Sequence, residues 1–226
     1  MRCPVCEGPD GHLFQTVDGL AYARCPCCEA TFLLPPHLPT PEAERAEYEL
    51  HRNTADDIGY RAFLSRLAAP LIKRLAPGSQ GLDFGCGPGP VLADLLREAG
   101  HQVVLYDPFF HADPAALNAQ YEFITCTEVV EHFHHPAAEF RRLNGLLKPG
   151  GTLAVMTRLQ TDDARFAQWH YRRDPTHVVF YRQATFEHLA RTHQWTCEVA
   201  APNVILLRRS HTPSGNHLSR ASTQRW

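Results

Sequence analysis

Residues 82–89 read LDFGCGPG, an apolar run ending on an acid and followed by glycines at 85, 87 and 89. Few patterns constrain a fold more. Glycine reaches backbone angles closed to other residues, and its missing side chain lets a ligand lie against the main chain. The next stretch, Val91 to Glu98, has helical apolar spacing. The loop therefore joins a strand to a helix N-terminus, where N–H groups without helical partners favour an electron-rich ligand.

The same alternation continues downstream. Strands are predicted at 102–107 (QVVLYD), 121–126 (YEFITC) and 152–157 (TLAVMT), with helices at 127–133, 137–147 and 184–192 and two closing strands within 176–207. Strands alternating with helices imply a parallel sheet covered on both faces. Upstream, helices are predicted at 42–57 and 59–76, the first capped by Thr40 with Pro41 as its first residue. The second carries Phe63, Leu64, Leu67, Leu71, Ile72 and Leu75 as an apolar face. The proline-rich stretch 35–41 is a stiff linker, and 210–226 is a polar, aperiodic tail.

Residues 1–34 have a different character. Cys3 and Cys6, then Cys25 and Cys28, form two C-x₂-C pairs separated by eighteen residues. That spacing supplies four thiolates to one tetrahedral zinc ion, and the intervening residues read as two short strands about an Asp18-Gly19 turn. The reading is a zinc ribbon, which at this size needs its metal to fold. Cys27 is surplus and could replace Cys28, though only Cys25 with Cys28 keeps the symmetric spacing. The chain thus divides into a ribbon (1–34), a linker with helices that could act as a lid (35–78), an α/β domain (79–209) and a tail (210–226).

Totals exclude several classes. Net charge is −2 over 226 residues, so no global positive field advertises nucleic acid. The N-terminal MRCPVCEG lacks a signal-peptide core and no run is long enough to span a bilayer. The expectation is a cytoplasmic protein whose eight cysteines are thiols or metal ligands rather than disulfides.

Four blocks in order, LDFGCGPG, YDP, ITCTEVVEHF and LLKPGGTLAV, resemble the class I S-adenosylmethionine (SAM)-dependent methyltransferases, and the later DPTHVVFYRQATFEHLA resembles that group's C-terminal pattern. The resemblance implies a Rossmann-like α/β fold, with a mostly parallel seven-stranded sheet, helices on both faces and the cofactor across the C-terminal strand edges. Carried over residue by residue, Asp83 would face the cationic methionine amine, directly or through water. Gly85, Cys86, Gly87 and Gly89 would pass beneath the cofactor, and Asp107 would accept from both ribose hydroxyls. Pro108, Thr127 and Glu128 would line the same site, and Phe109 or Phe110 would sandwich the adenine or belong to the core. One departure matters: the family commonly fits a helix, a strand and an acidic adenine contact where this chain has only HADPAALNAQ.

The acceptor is less constrained. Glu128, Glu131 and His132 share one face if 127–133 is helical, so His132 could be a base and the trio could hold a second, divalent metal. Similar helices occur in O-methyltransferases of quinone biosynthesis. His177, in a turn-like segment, is the second candidate base, with Glu128 beside them as a catalytic candidate. Trp169, Tyr171 and Tyr181 are the candidate substrate walls, and Arg172 and Arg173 would suit an anionic group. In the lid, Tyr48, His51, Arg52 and Asn53 are the candidates. The expected activity is methyl transfer to O or N of a small molecule. The alternatives are an RNA methyltransferase using the ribbon as a clamp, or a non-catalytic SAM and zinc module. Against RNA, residues 1–34 hold Arg2 and Arg24 opposed by Glu7, Asp10, Asp18 and Glu29. The sequence leaves the oligomeric state open.

Overall fold

The strand before the glycine loop, β4 (Gln80–Phe84), is buried from Gly81 onward and lies inside a six-stranded sheet. It pairs in parallel with β5 (Gln102–Tyr106) and β6 (Tyr121–Thr127). Beyond β6 comes β7 (Leu147–Met156), also parallel, and then an antiparallel pair, β10 (Val204–Arg209) and β9 (Trp195–Ala201). The computed structural model describes residues 1–50 and 57–211. His51, Arg52 and Asn53 of the expected lid, and nearly all of the expected tail, lie outside the described residues.

Alternation along the strands divides the core in two. Phe123, Ala154 and Leu206 face α2 (Ile58–Ile72) and α3 (Val91–Glu98), meeting Leu64, Leu67, Leu71, Leu92 and Leu96. Their neighbours Ile124, Leu153, Val155, Ile205 and Leu207 face α4 (Pro136–Leu146) and α5 (Gln183–His193), meeting Phe140, Leu143, Phe186 and Leu189. Side chains at successive strand positions point to opposite faces, so a strand buried on both sides reads as a continuous apolar run.

Three expectations change. Among the described residues the sheet has six strands rather than seven, and the loss falls in the shortened stretch after β5. A further parallel strand needs a crossover of about a dozen residues before the strand itself. Here the chain instead makes one 3₁₀ segment, Pro114–Asn118, capped where Asp113 accepts from the Ala115 N–H at 2.9 Å. Second, 127–133 is not an α-helix. Thr127 still belongs to β6, Glu128 takes a left-handed φ of 52°, and Val130–His132 is a short 3₁₀ turn. The branched pair Val129-Val130 is a poor helix start, and the Glu128 N–H is held by the Met156 carbonyl at 2.8 Å. Third, both N-terminal helices end early, the first at Tyr48 instead of 57 and α2 at Ile72, four residues before the expected 76.

The N-terminal hairpin forms as read: β1 (His12–Val17) and β2 (Leu20–Arg24) join through Asp18 and Gly19, both at positive φ. Then β3 (Thr31–Leu33) adds, and a fourth strand comes from far along the chain, β8 (Val179–Phe180). Thr40 caps α1 (Pro41–Tyr48), accepting from the Ala43 N–H at 3.3 Å. Among the described residues no helix is long and apolar enough to cross a membrane.

Phe140 is fully buried on α4 against Phe133, Tyr181 and Phe186. Phe140→Ala is expected to cost about 3–5 kcal/mol in urea titrations. A loss under about 1 kcal/mol would contradict this core.

Candidate active site

At the C-terminal ends of β4, β5, β6 and β7 lies a cavity of about 820 Å³. Ligands of open α/β sheets sit there, because strand ends and helix starts leave loops facing one crevice. Gly85 and Gly87 adopt φ values of 77° and 64°, which only glycine takes cheaply. A Cβ on Gly85 would collide with Val129, whereas one on Gly87 would meet nothing within 4 Å. Cys86 and Gly89 line the same wall, and burial with the nearby Asp83 and Asp107 pushes the Cys86 thiol up to about 12.

Asp107 holds this loop in shape. One carboxylate oxygen accepts from Gly87 N–H at 3.0 Å, and the other from Phe109 and Phe110 N–H at 2.8 and 3.1 Å. A carboxylate offers about four acceptor positions, so the expected two-handed ribose grip would have to displace one of these bonds. Asp83 is buried and does not line the cavity. It accepts from Thr125 Oγ1 at 2.7 Å, and burial pushes its carboxyl up to about 6. The Thr127 hydroxyl oxygen is buried in this wall with no hydrogen-bond partner among the described residues, which marks a place for a polar ligand.

The opposite end is lined by imidazoles and carboxyls. His132 and His177 lie with ring centroids 4.7 Å apart. His132 Nδ1 is 3.1 Å from the Thr176 carbonyl and His177 Nδ1 is 2.7 Å from the Tyr171 carbonyl. A carbonyl only accepts, so each Nδ1 carries the hydrogen and Nε2 is the basic nitrogen of the neutral ring. Tyr171 donates its hydroxyl to Glu131 Oε1 at 2.5 Å, while Glu131 Oε2 is buried without a hydrogen-bond partner. Burial and the neighbouring Glu128 push Glu131 up; burial pushes Glu128 up against the pull of Arg158. Tyr48 of α1 closes this end, its ring between Phe109 and His132 at 5.4 and 5.3 Å.

In the ribbon, Cys3 and Cys28 sulfurs are 3.7 Å apart, and Cys6 and Cys25 sulfurs 3.6 Å apart. Four thiolates at the usual Zn–S length of about 2.3 Å stand about 3.8 Å from one another, so the set fits a tetrahedral zinc. Cys27 is exposed, its sulfur 3.9 Å from His188 Nδ1.

A family model described as "Methyltransferase domain" matches residues 60–199, more than half of the chain. The chain belongs to the SAM-dependent methyltransferases. The ubiquinone biosynthesis O-methyltransferase of Xanthomonas campestris pv. campestris (strain B100) is 30% identical over 112 residues, covering 39% of this chain and 46% of that protein. The biotin biosynthesis bifunctional protein BioCD of Bordetella avium is 29% identical over 154 residues, covering 57% of this chain and 31% of that protein. This methyltransferase thus spans about half, or less, of the length of these curated relatives. A Burkholderia thailandensis 1,6-didemethyltoxoflavin-N1-methyltransferase, solved with its namesake ligand and S-adenosylhomocysteine, aligns at a TM-score of 0.53 and 17% identity. The alignment covers 89% of this chain and 100% of that one, and it shows a shared fold.

Of the sequence-predicted site residues, the cavity of this methyltransferase brings together Gly85, Cys86, Gly87, Gly89, Asp107, Pro108, Phe109, Phe110, Thr127, Glu128, His132, Tyr171 and His177. Two substrate candidates fall elsewhere. Tyr181 is fully buried, donating to the Val130 carbonyl at 2.9 Å, and Trp169 packs on Tyr171 and Phe180 outside the cavity. Arg172 turns away to Asp18 of the ribbon. The carboxylate and imidazoles that meet are Glu131, His132 and His177, within 4.8 Å, rather than Glu128, Glu131 and His132. Arg158, which lines the cavity just past β7, was not singled out from the sequence. Its position after a parallel strand, like that of Asp107 after β5, was the available signal.

Asp83 carries a pH signature. A buried carboxyl raised from 3.8 to about 6 contributes stability that is present below 3.8 and lost as pH rises to 6. Asp83→Asn removes that loss. In ligand-free urea titrations, the variant's stability relative to wild type should improve by about 2–3 kcal/mol between pH 4 and pH 7. A difference flat with pH would refute the raised value.

Proposed function

We propose that this methyltransferase transfers a methyl group from SAM to an oxygen or nitrogen of a small-molecule acceptor, with the His132–His177 pair taking the acceptor's proton. The observation that carries this reading is the imidazole pair, each ring held by a backbone carbonyl through Nδ1. The O-methyltransferase relatives point the same way.

The residues fit the cofactor. The Gly85–Gly89 loop, Asp107, Thr127 and Phe109 would hold it, with Asp83 beneath them as an anion for a cationic group. When bound, SAM supplies a methyl on a sulfonium, already activated toward in-line displacement. The chain's residues do the rest. Tyr48 and Tyr171 wall the acceptor and exclude water, Glu128 offers a hydrogen-bonding carboxyl, and a histidine Nε2 accepts the proton. A second reading, metal-assisted deprotonation, is favoured by the approach of Glu131, His132 and His177 within 4.8 Å. It predicts that protein already holding one zinc in its ribbon binds a second equivalent of divalent ion and turns over faster with it, an effect lost in Glu131→Gln.

A structural zinc on Cys3, Cys6, Cys25 and Cys28 completes the proposal, supported by the sulfur spacing.

Incubation with methyl-labelled SAM and fractionated metabolites, beside total RNA, tests the acceptor class. Label in a small molecule is expected; label in RNA alone overturns the proposal, and binding without any transfer favours the non-catalytic alternative. With an acceptor in hand, His177→Ala and His132→Ala should slow turnover by about 10²–10⁴-fold between them while S-adenosylhomocysteine affinity stays within a few-fold. Unchanged turnover in both would remove the pair as base.

A further inference from the structure

We propose that the zinc-bound ribbon is the clamp that orders the acceptor-side wall of the cavity, residues 166–182, while the cofactor cradle is built independently of it. The proposal rests on the four-thiolate zinc reading above.

The wall has little regular structure of its own. Phe166–Gln168 and His170–Arg173 are single 3₁₀ turns, and β8 has only two residues. Among the described residues β8 joins no strand of the α/β sheet; its ladder partner is β3, with Thr31 opposite Phe180 and Phe32 opposite Val179. Yet this stretch presents Tyr171, Asp174 and His177 to the cavity. A segment so short of internal ladder bonds is held by what it docks on.

On one side Tyr171 and Tyr181 tie it to the α/β domain, at Glu131 and at the Val130 carbonyl; along the other side it docks on the ribbon. Leu33 N–H donates to the Val178 carbonyl at 2.8 Å, and Val178 N–H donates to the Glu131 carbonyl at 2.9 Å. Two hydrogen bonds thus run from β3, which starts three residues after Cys28, to the turn that carries Glu131 and His132. Side chains reinforce the line. Arg172, only 5% exposed, pairs with Asp18 at the hairpin tip at 2.8 Å. Tyr22 packs edge-on against Phe166 and Phe180, and Thr31 donates to Gln160 at 2.7 Å. The cradle differs: its loop is held by the Tyr106 carbonyl and Asp107 at the end of β5. About thirty residues cannot bury enough surface to fold unaided, so metal loss releases β3, and β3 is what β8 pairs with.

Hydrogen–deuterium exchange read by mass spectrometry tests this on the full chain, with zinc content measured in parallel and S-adenosylhomocysteine titrated calorimetrically. On chelation, peptides from 166–182 and 130–134 should exchange at least tenfold faster and recover when zinc returns. Peptides from 80–106 should be unchanged and the S-adenosylhomocysteine Kd should stay within threefold. Asp18→Ala, which leaves the thiols intact, should keep its zinc and quicken exchange in 166–182 about threefold; it also serves if the chelated protein precipitates. Zinc lost with 166–182 still protected overturns the clamp. So does exchange rising equally through 80–106 with ligand binding abolished, or an unaltered Asp18→Ala profile. A chain that neither carries nor takes up zinc removes the zinc reading and the clamp with it, whereas failure to bind S-adenosylhomocysteine while zinc is held counts against the cofactor reading instead.

Discussion

Parallel hydrogen bonding on both sides of β4 is the constraint from which the active site follows. Parallel neighbours must run the same way, so the loops after β4, β5 and β6 all emerge on one edge. That edge receives the glycine loop, Asp107 and the Thr127-Glu128 turn. Asp107 then converts proximity into shape, because its carboxylate ties the glycine loop to the turn beyond β5. The left-handed Glu128 does the same for β6, halting the strand where a helix would have carried its side chains out of register with the cavity. Such backbone settings cost free energy and persist where the surroundings fix them.

The electrostatics divide the crevice. Toward the loop, Asp83 lies buried beneath backbone groups and is costly to ionise without a cation nearby. Toward the histidines, Glu128 and Glu131 crowd together, with Tyr171 donating into the pair. One end therefore suits a positively charged group, and the other suits proton exchange with a neutral one. That division matches the proposed methyl transfer from a sulfonium to a hydroxyl or amine.

Much of this was legible in the sequence, because backbone demands leave residue-level marks. The glycines at 85 and 87, the Asp18-Gly19 turn and the Thr40 cap each answer a local geometric need and form as read, and the four paired cysteines meet in one cluster. Where the reading missed, tertiary context decided. EVVEHF has helical spacing, but the Met156 carbonyl captures the Glu128 N–H and turns the chain. Tyr181 and Trp169 look like pocket walls by composition; Tyr181 is core, and Trp169 packs beside it on Phe180 and Tyr171. The missing strand was signalled by length alone, since 108–120 is too short for a crossover and a strand.

The ribbon's fourth strand carries a consequence for how the chain reaches its fold. Arg172 and Tyr22 meet across 150 positions, and β3 waits for β8 over a similar span. Contacts of such separation form late, after loop closure has been offset by other gains. During synthesis the four cysteines emerge well before β8, so the sheet they anchor stays open until Phe180 has left the ribosome. Tyr22 and Phe32, fully covered in the finished protein, owe part of that cover to Phe166 and β8 and lack it until those residues arrive. The ribbon, made before the α/β domain, is thus finished only with it.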